Sequence, residues 1–162
     1  AYVDVEEVIK EYKGMKDAQK EMDEKEGEYK TALDQLAVGY QTGLKEYQEK
    51  GRTMSAQKRQ QTENTLMQQQ QMLNQRQQQA QQELQKFGQD KMDEINEDIQ
   101  DFVADYAKKQ GYTYVLGTSE QTKAVLYGDS KTDITDEILE TLNDEYKKST
   151  KQSPKVENDS IK

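Results

Sequence analysis

The sequence predicts a fold that is mainly α with a small β part: a long antiparallel coiled-coil helical hairpin projecting from a small β-barrel-like body. Three observations carry this. A heptad stripe runs in register through the first fifty residues. A glycine-marked break near residue 51 separates it from a second long helical stretch. Short β-prone runs lie outside the helices, near residues 2–5, 112–117 and 124–127.

Tyr2 to Val5 is the first of these runs, and the helix follows at once, with Asp4, Glu6 and Glu7 at its positive end. The stripe reads Val5, Tyr12, Gln19, Glu26, Leu33, Tyr40 and Tyr47, with companions Val8, Met15, Met22, Tyr29, Leu36 and Gly43. Ten of these thirteen positions are apolar in a chain that is otherwise mostly polar. Such spacing puts them on one narrow face, which buries against another helix and not against a broad core. An unbroken helix to about Lys50 is expected, about 65 Å long at ~1.5 Å per residue.

Gly51-Arg52-Thr53-Met54-Ser55 is read as a tight reversal, with Gly51 ending one helix in the left-handed conformation and Ser55 or Thr53 capping the next. The second helix is expected over roughly 55–109. Fifteen of residues 56–89 are glutamine, a composition compatible with disordered low complexity. Leu66, Leu73, Ala80 and Phe87 nevertheless recur every seven residues, and glutamine is a good helix former, so a helix with a thin seam is expected. Beyond the tract Leu84, Ile95 and Tyr106 lie eleven apart, with Met92, Ile99, Phe102 and Val103 beside them, so this half should lie nearer a core.

Gly111 stops the helix. Tyr112 to Gly117 and Ala124 to Tyr127 read as strands, Gly128 to Thr132 as a turn. An amphipathic helix follows from about Asp136 to Lys148, capped by Thr135 or Asp133, burying Ile138, Leu139 and Leu142. The expected division is a β-rich body from 1–5 and 110–148, a hairpin arm from 6–109 with its tip near 50–55, and a disordered tail over 149–162.

Composition narrows the function. Of 162 residues 31% are hydrophobic and 34% charged, too polar for one large core. The formal net charge is −9, yet residues 51–89 carry five basic and two acidic side chains. An acidic chain with one mildly basic region argues against general nucleic-acid binding. There is no cysteine and no histidine, which excludes disulfides, Cys/His zinc sites and Ser–His or Cys–His nucleophilic catalysis. The chain opens on Ala1, and a processed N-terminus with its targeting segment removed is expected.

Three short strands and one short helix are too small a core to stand alone, and they leave strand edges open. Self-association, with copies sharing strands in one sheet or barrel, is the economical remedy. The residues themselves therefore predict a homo-oligomer with a β-rich hub.

Three stretches give the chain a family resemblance: Tyr2-Val3-Asp4-Val5-Glu6-Glu7-Val8, the run Gly111 to Leu116, and Ala124-Val125-Leu126-Tyr127-Gly128-Asp129 followed by Asp133-Ile134-Thr135-Asp136-Glu137-Ile138-Leu139. In this order and spacing, over residues 1–148, the chain resembles the Skp/OmpH family of periplasmic chaperones. The resemblance implies a homotrimer whose barrel-like trimerisation body is built from strands of three chains, with three hairpins around a cavity. It implies an ATP-independent holdase that keeps unfolded outer-membrane proteins from aggregating in the periplasm. Well-known members are basic and this chain is acidic, so no lipopolysaccharide site is carried over, and membrane contact is expected to be at most weak and peripheral.

No catalytic, cofactor or metal site is expected. Carboxylate pairs such as Asp93/Glu97 and Glu94/Asp98 read as solvated helix surface. Expected in the oligomerisation core are Val3, Val5, Tyr112, Tyr114, Val115, Leu116, Val125, Leu126 and Tyr127. Client-contact candidates are Met54, Met67 and Met72, flexible methionines off the seam near the tip that suit irregular apolar partners, with Val38 and again Met67 as candidates on the side that would face a cavity. The alternative function is a structural coiled-coil protein that links envelope components without holding a client.

Overall fold

The protein's structure, a computed structural model, describes residues 1–122 and 124–152. Strand β1 (Tyr2–Asp4) runs into helix α1 (Val5–Glu11), then helix α2 (Lys13–Lys50). A 3₁₀ turn (Gly51–Thr53) leads to helix α3 (Ala56–Gln110). Strand β2 (Leu116–Thr118), a second 3₁₀ turn (Ser130–Thr132) and helix α4 (Thr135–Gln152) complete the order. Two units result, one from 1–19 with 91–162 and one from 20–90.

In the first unit β1 and β2 pair in parallel, Tyr2 with Leu116, Val3 with Gly117 and Asp4 with Thr118. On the other side of β1 the Ile134 N–H donates to the Tyr2 carbonyl at 3.0 Å. A polar relay extends this contact. The Asp4 N–H donates to Thr135 Oγ1 at 2.9 Å, and that hydroxyl donates to Asp133 Oδ1 at 2.6 Å. Burial pushes the Asp133 carboxyl up, but the hydrogen bonds from Thr135 and Tyr2 outweigh it and hold the group below its ordinary value. The Asp4 side chain meanwhile caps α1 by accepting from the Glu7 N–H at 3.1 Å. Four consecutive polar groups thus set the register of the strand and the starts of two helices.

The core beneath is built from Val3, Val8, Ile95, Ile99, Ile134, Ile138 and Leu142, with Val8 and Ile138 fully buried. Ile138 and Leu142 are the buried face read from the amphipathic pattern of α4, while Leu139 is half-buried beside them.

The helix expected to be continuous is interrupted at Tyr12, which adopts φ −65° and ψ 132°. The cause is the ring. One extended residue turns the Tyr12 side chain inward, where it is buried and meets Tyr146 edge-on at 5.4 Å. It lies so close over Gly14 that a Cβ there would sit 2.4 Å from a ring carbon, so glycine is required at that position. Breaking a helix frees backbone groups, and one side chain answers both. The Lys13 N–H donates to Asn143 Oδ1 at 2.7 Å, and Asn143 Nδ2 donates to the Glu11 carbonyl at 3.4 Å.

In the second unit α2 and α3 run antiparallel, as the paired contacts require: Lys25 with Phe87, Tyr29 with Glu83, Gly43 with Leu66, Tyr47 with Glu63. Leu66 and Ala80 of the heptad row are buried and Leu73, Leu84 and Phe87 half-buried, as a thin seam predicts. Ser55 Oγ caps α3 by accepting from the Lys58 N–H at 3.3 Å. Gly51 departs from expectation: the helix ends in a 3₁₀ turn, with Gly51 packed against the Tyr47 ring and its carbonyl accepting from Arg59 Nε at 3.2 Å. The end of α3 follows expectation. Gly111 has φ 77°, and the N–H groups of Gly111 and Tyr112 donate to the Lys108 and Ala107 carbonyls. This is the paired bond pattern that glycine permits at a helix terminus.

Three further expectations are corrected. Of the strand expected over Tyr112 to Gly117 only Leu116 and Gly117 are strand, continued by Thr118, because β1 offers a three-residue ladder and Tyr112 to Val115 precede it. Ala124 to Tyr127 is not a strand: it has no ladder partner among the described residues of one chain. Helix α4 continues to Gln152, past the expected start of the tail at 149, because Tyr146 packs against Tyr12 and its hydroxyl donates to Asp17 Oδ2 at 3.0 Å, anchoring the last turns. Residues 153–162 of that expected tail lie outside the described residues.

Replacing Asn143 with alanine leaves the Lys13 N–H and Glu11 carbonyl without their partner, and is expected to cost about 1–3 kcal/mol. Urea denaturation checks this; an unchanged midpoint would show that the amide is not holding the break. A second prediction concerns alkaline pH. Tyr106 Oη donates to Glu137 Oε2 at 2.7 Å, and this bond, with lesser burial and repulsion from Glu137, pushes the phenol up to about 12 from 10.0. The phenol is held protonated in the folded state, so the stabilisation is complete below pH 10.0 and disappears as pH rises through about 12. The difference between phenolate absorbance titrations of the parent and Tyr106→Phe should be a single transition near the upper value. A difference centred near the ordinary tyrosine value would mean that the bond does not form.

Candidate functional site

Apart from Met92 on α3, large apolar side chains left in solvent form two groups, one in each unit. In the unit that carries the strands, Leu126 is 93% exposed, Tyr127 87% and Tyr114 76%, with Leu116 and Tyr112 also exposed. They belong to chain segments that lack a full ladder. Over 124–127 the backbone makes no ladder pairing among the described residues and bends at Leu126, and it is then pinned where the Tyr2 ring lies directly over Gly128. A Cβ at Gly128 would fall 2.4 Å from that ring, so glycine sets the close approach. Tyr2 itself has its phenol pushed up by burial first and by the neighbouring Asp133 carboxylate second.

The residues expected in the oligomerisation core therefore separate. Val3 is buried inside the chain's own core, with Val5 and Val115 half-buried against it. Val125 is half-buried, while Tyr112, Tyr114, Leu116, Leu126 and Tyr127 face solvent. Beside the sheet lies an open, mainly apolar groove of about 350 Å³ lined by Val5, Val103, Ala104, Ala107, Val115 and Gly117.

On the hairpin Val38, Met67 and Met72 are exposed. Met54 sits in the turn, half-buried, its sulfur accepting from Thr62 Oγ1 at 3.9 Å. Met72 also lines a groove of about 530 Å³ between α2 and α3, together with Ala32, Leu33, Leu36, Arg76 and Ala80. This groove was not foreseen, though a signal for it exists. Four residues after Leu66 and Leu73 come Gln70 and Gln77, where a complete seam would carry apolar side chains. The second apolar row is missing, alanines stand at 32 and 80, and the helices leave a trough.

Polar contacts hold the seam on either side. Tyr29 Oη donates to the Glu83 carboxylate and Tyr47 Oη to that of Glu63, and these bonds, more than burial, push both phenols up. The Lys25 ammonium lies 5.7 Å from the Tyr29 ring centre and 5.3 Å from that of Phe87. Among the described residues no three acidic side chains are grouped as a metal site would need, and no helix is long and apolar enough to cross a membrane.

Comparison with known proteins places this geometry. Residues 1–142 match the model of the family described as "Outer membrane protein (OmpH-like)". The chain is 30% identical over 120 residues to the chaperone protein Skp of Yersinia enterocolitica, an alignment covering 72% of this chain and 71% of that protein. Its fold is similar to a solved OmpH-like structure from Caulobacter crescentus, with a TM-score of 0.78, 14% identity, and coverage of 90% of this chain and 83% of the other. With the strand–helix opening, the long hairpin and the first turns of the amphipathic closing helix inside the matched span, the chain belongs to the OmpH-like family, the family of the Skp chaperones.

Proposed function

We propose that the protein is an ATP-independent holdase of the periplasm, which as a homotrimer keeps unfolded outer-membrane proteins from aggregating. Membership of the Skp/OmpH family supports the class of activity. The observation that carries the division of labour is the placing of exposed apolar side chains in two separate groups. Leu126 and Tyr127 lie on backbone with no ladder partner among the described residues, and Leu116 lies on a three-residue strand paired only with β1 among them, an arrangement that invites strand addition from another copy. Val38, Met67 and Met72 lie on helix surface with no ladder to complete, which suits transient contact with a client.

Holding differs from binding a folded partner. An unfolded chain offers scattered apolar residues, so many weak contacts retain it better than one deep pocket, and they release it without a chemical step. Here the methionines supply the adaptable contacts. The formal net charge of −9 keeps the loaded complex soluble by repulsion between complexes. The same acidity limits any association with anionic membranes to the basic stretch 51–89.

The deciding experiment mixes the protein with an outer-membrane β-barrel diluted from urea, reading turbidity and mass together. Suppressed turbidity with a soluble complex of trimer plus client is expected. A defined partner bound with no suppression of aggregation would instead establish an envelope linker. Two variants test the division of labour. Leu126→Asp places a charge in the strand junction and should shift the assembled mass to that of single chains in light scattering; a variant that remains trimeric would contradict the assignment. Deleting 51–89 and rejoining the helices should leave the trimer assembled and weaken client protection; loss of assembly in this variant would show that the hairpin helps hold the copies together.

A further inference from the structure

The trough between α2 and α3 is more specific than diffuse holding requires. Its floor is apolar, from Leu33, Leu36, Ala32 and Ala80, and Met72 forms an adaptable wall. At about 530 Å³ it falls in the size range of small-molecule sites and has ample room for an aromatic ring. Two amides, of Gln35 and Gln79, stand on its rim, and neither makes a side-chain hydrogen bond among the described residues. The Arg76 guanidinium on the same rim likewise has no carboxylate partner among them.

The local charge points the same way. Residues 51–89 contain two acidic side chains, Glu63 and Glu83. Both accept hydrogen bonds from tyrosines of the opposite helix, Glu63 from Tyr47 and Glu83 from Tyr29. Each carboxylate is thereby engaged within the hairpin, and Arg76 is left exposed in a stretch that carries five basic and two acidic side chains. Of the two charged side chains on the groove's lining, Glu83 is taken up by the Tyr29 hydroxyl, and Arg76 is the one without a carboxylate partner among the described residues. An exposed amide on either side suits a partner whose backbone N–H and C=O groups are unpaired, which describes an extended unfolded strand and not a folded surface.

We propose that this groove is a discrete subsite for an extended, unfolded polypeptide segment carrying an aromatic side chain next to an acidic one. The ring enters the trough against Leu33, Leu36 and Met72. The neighbouring carboxylate pairs with Arg76, and Gln35 and Gln79 bond the segment's backbone. The proposal rests on the holdase reading and gives that activity a sequence preference: segments where an aromatic residue meets an Asp or Glu are held more tightly than those where it meets Lys or Arg.

The test uses the full-length protein and three labelled Gly/Ser-rich peptides containing Phe-Glu, Phe-Lys or Ala-Glu, with affinity read by fluorescence anisotropy. The Phe-Glu peptide should bind about tenfold more tightly than either other, as one charge-assisted bond and one buried ring allow. Arg76→Glu should abolish or reverse the Glu-over-Lys preference, and Ala32→Trp, which fills the trough from an exposed position, should weaken both Phe peptides. Lys86→Glu, the same charge change away from the groove lining, should keep the preference; circular dichroism of each variant establishes that it is folded. Equal binding of the three peptides, or a preference that survives both Arg76→Glu and Ala32→Trp, overturns the proposal. So does an Ala32→Trp protein that loses self-assembly while its peptide affinity is unchanged, since the groove then belongs to a second copy. Aggregation assays run in parallel separate the two readings. Protection of a β-barrel client without peptide discrimination removes the subsite and leaves the holdase, whereas no protection removes the holdase whatever the peptides do.

Discussion

One residue leaves the helix, and one amide closes the gap. At Tyr12 the backbone turns extended so that a phenol ring can enter the core, and the Asn143 side chain satisfies the Lys13 N–H and the Glu11 carbonyl that the break exposes. A helix can afford an interior break only where such groups find partners, since an unpaired buried backbone group costs about as much as a lost hydrogen bond. The same contact fixes α4 along α1 and the start of α2. The Asp4–Thr135–Asp133 relay then fixes the beginning of α4 against β1. Between them these two polar clusters determine where Val8, Ile138 and Leu142 meet, and the apolar core fills around that frame.

The two units are held by different physics. In the first, branched aliphatic side chains from three helices and a strand bury one another, and polar groups act at defined joints. In the second, one row of Leu66, Leu73, Ala80 and Phe87 faces the stripe of α2, and tyrosine–carboxylate bonds and a stacked lysine reinforce it. A seam one row wide cannot exclude solvent from the whole interface. What it gains is accessible apolar surface on a helix that still holds its shape, the property that a protein working by weak, reversible contact needs.

Much of this was legible in the residues. The heptad row gave both long helices and their antiparallel pairing, Gly111 the end of α3, Ser55 its cap, and Ile138 and Leu142 the buried face of α4. Each is a local matter of periodicity or of one residue's conformational freedom. The groove was half legible, since Gln70 and Gln77 mark a missing apolar row, but a pattern does not say whether the helices close over the gap or leave it open. The exposed side chains among the expected oligomerisation residues were not separable from the buried ones: Val3 and Leu126 are both apolar residues in β-prone runs.

The sequence alone determined which segments are helical, where α3 begins and stops, and that one narrow face of each long helix is apolar, because these follow from neighbours within a few turns of the chain. Tertiary structure decided the break at Tyr12, the shortening of β2 to three residues and the unpaired state of 124–127. Those outcomes depend on partners more than a hundred residues away, as Asn143 is from Lys13, or on a ladder that the described residues of one chain do not supply. Hydrogen-bond satisfaction is settled between segments, and no periodicity within a segment records it.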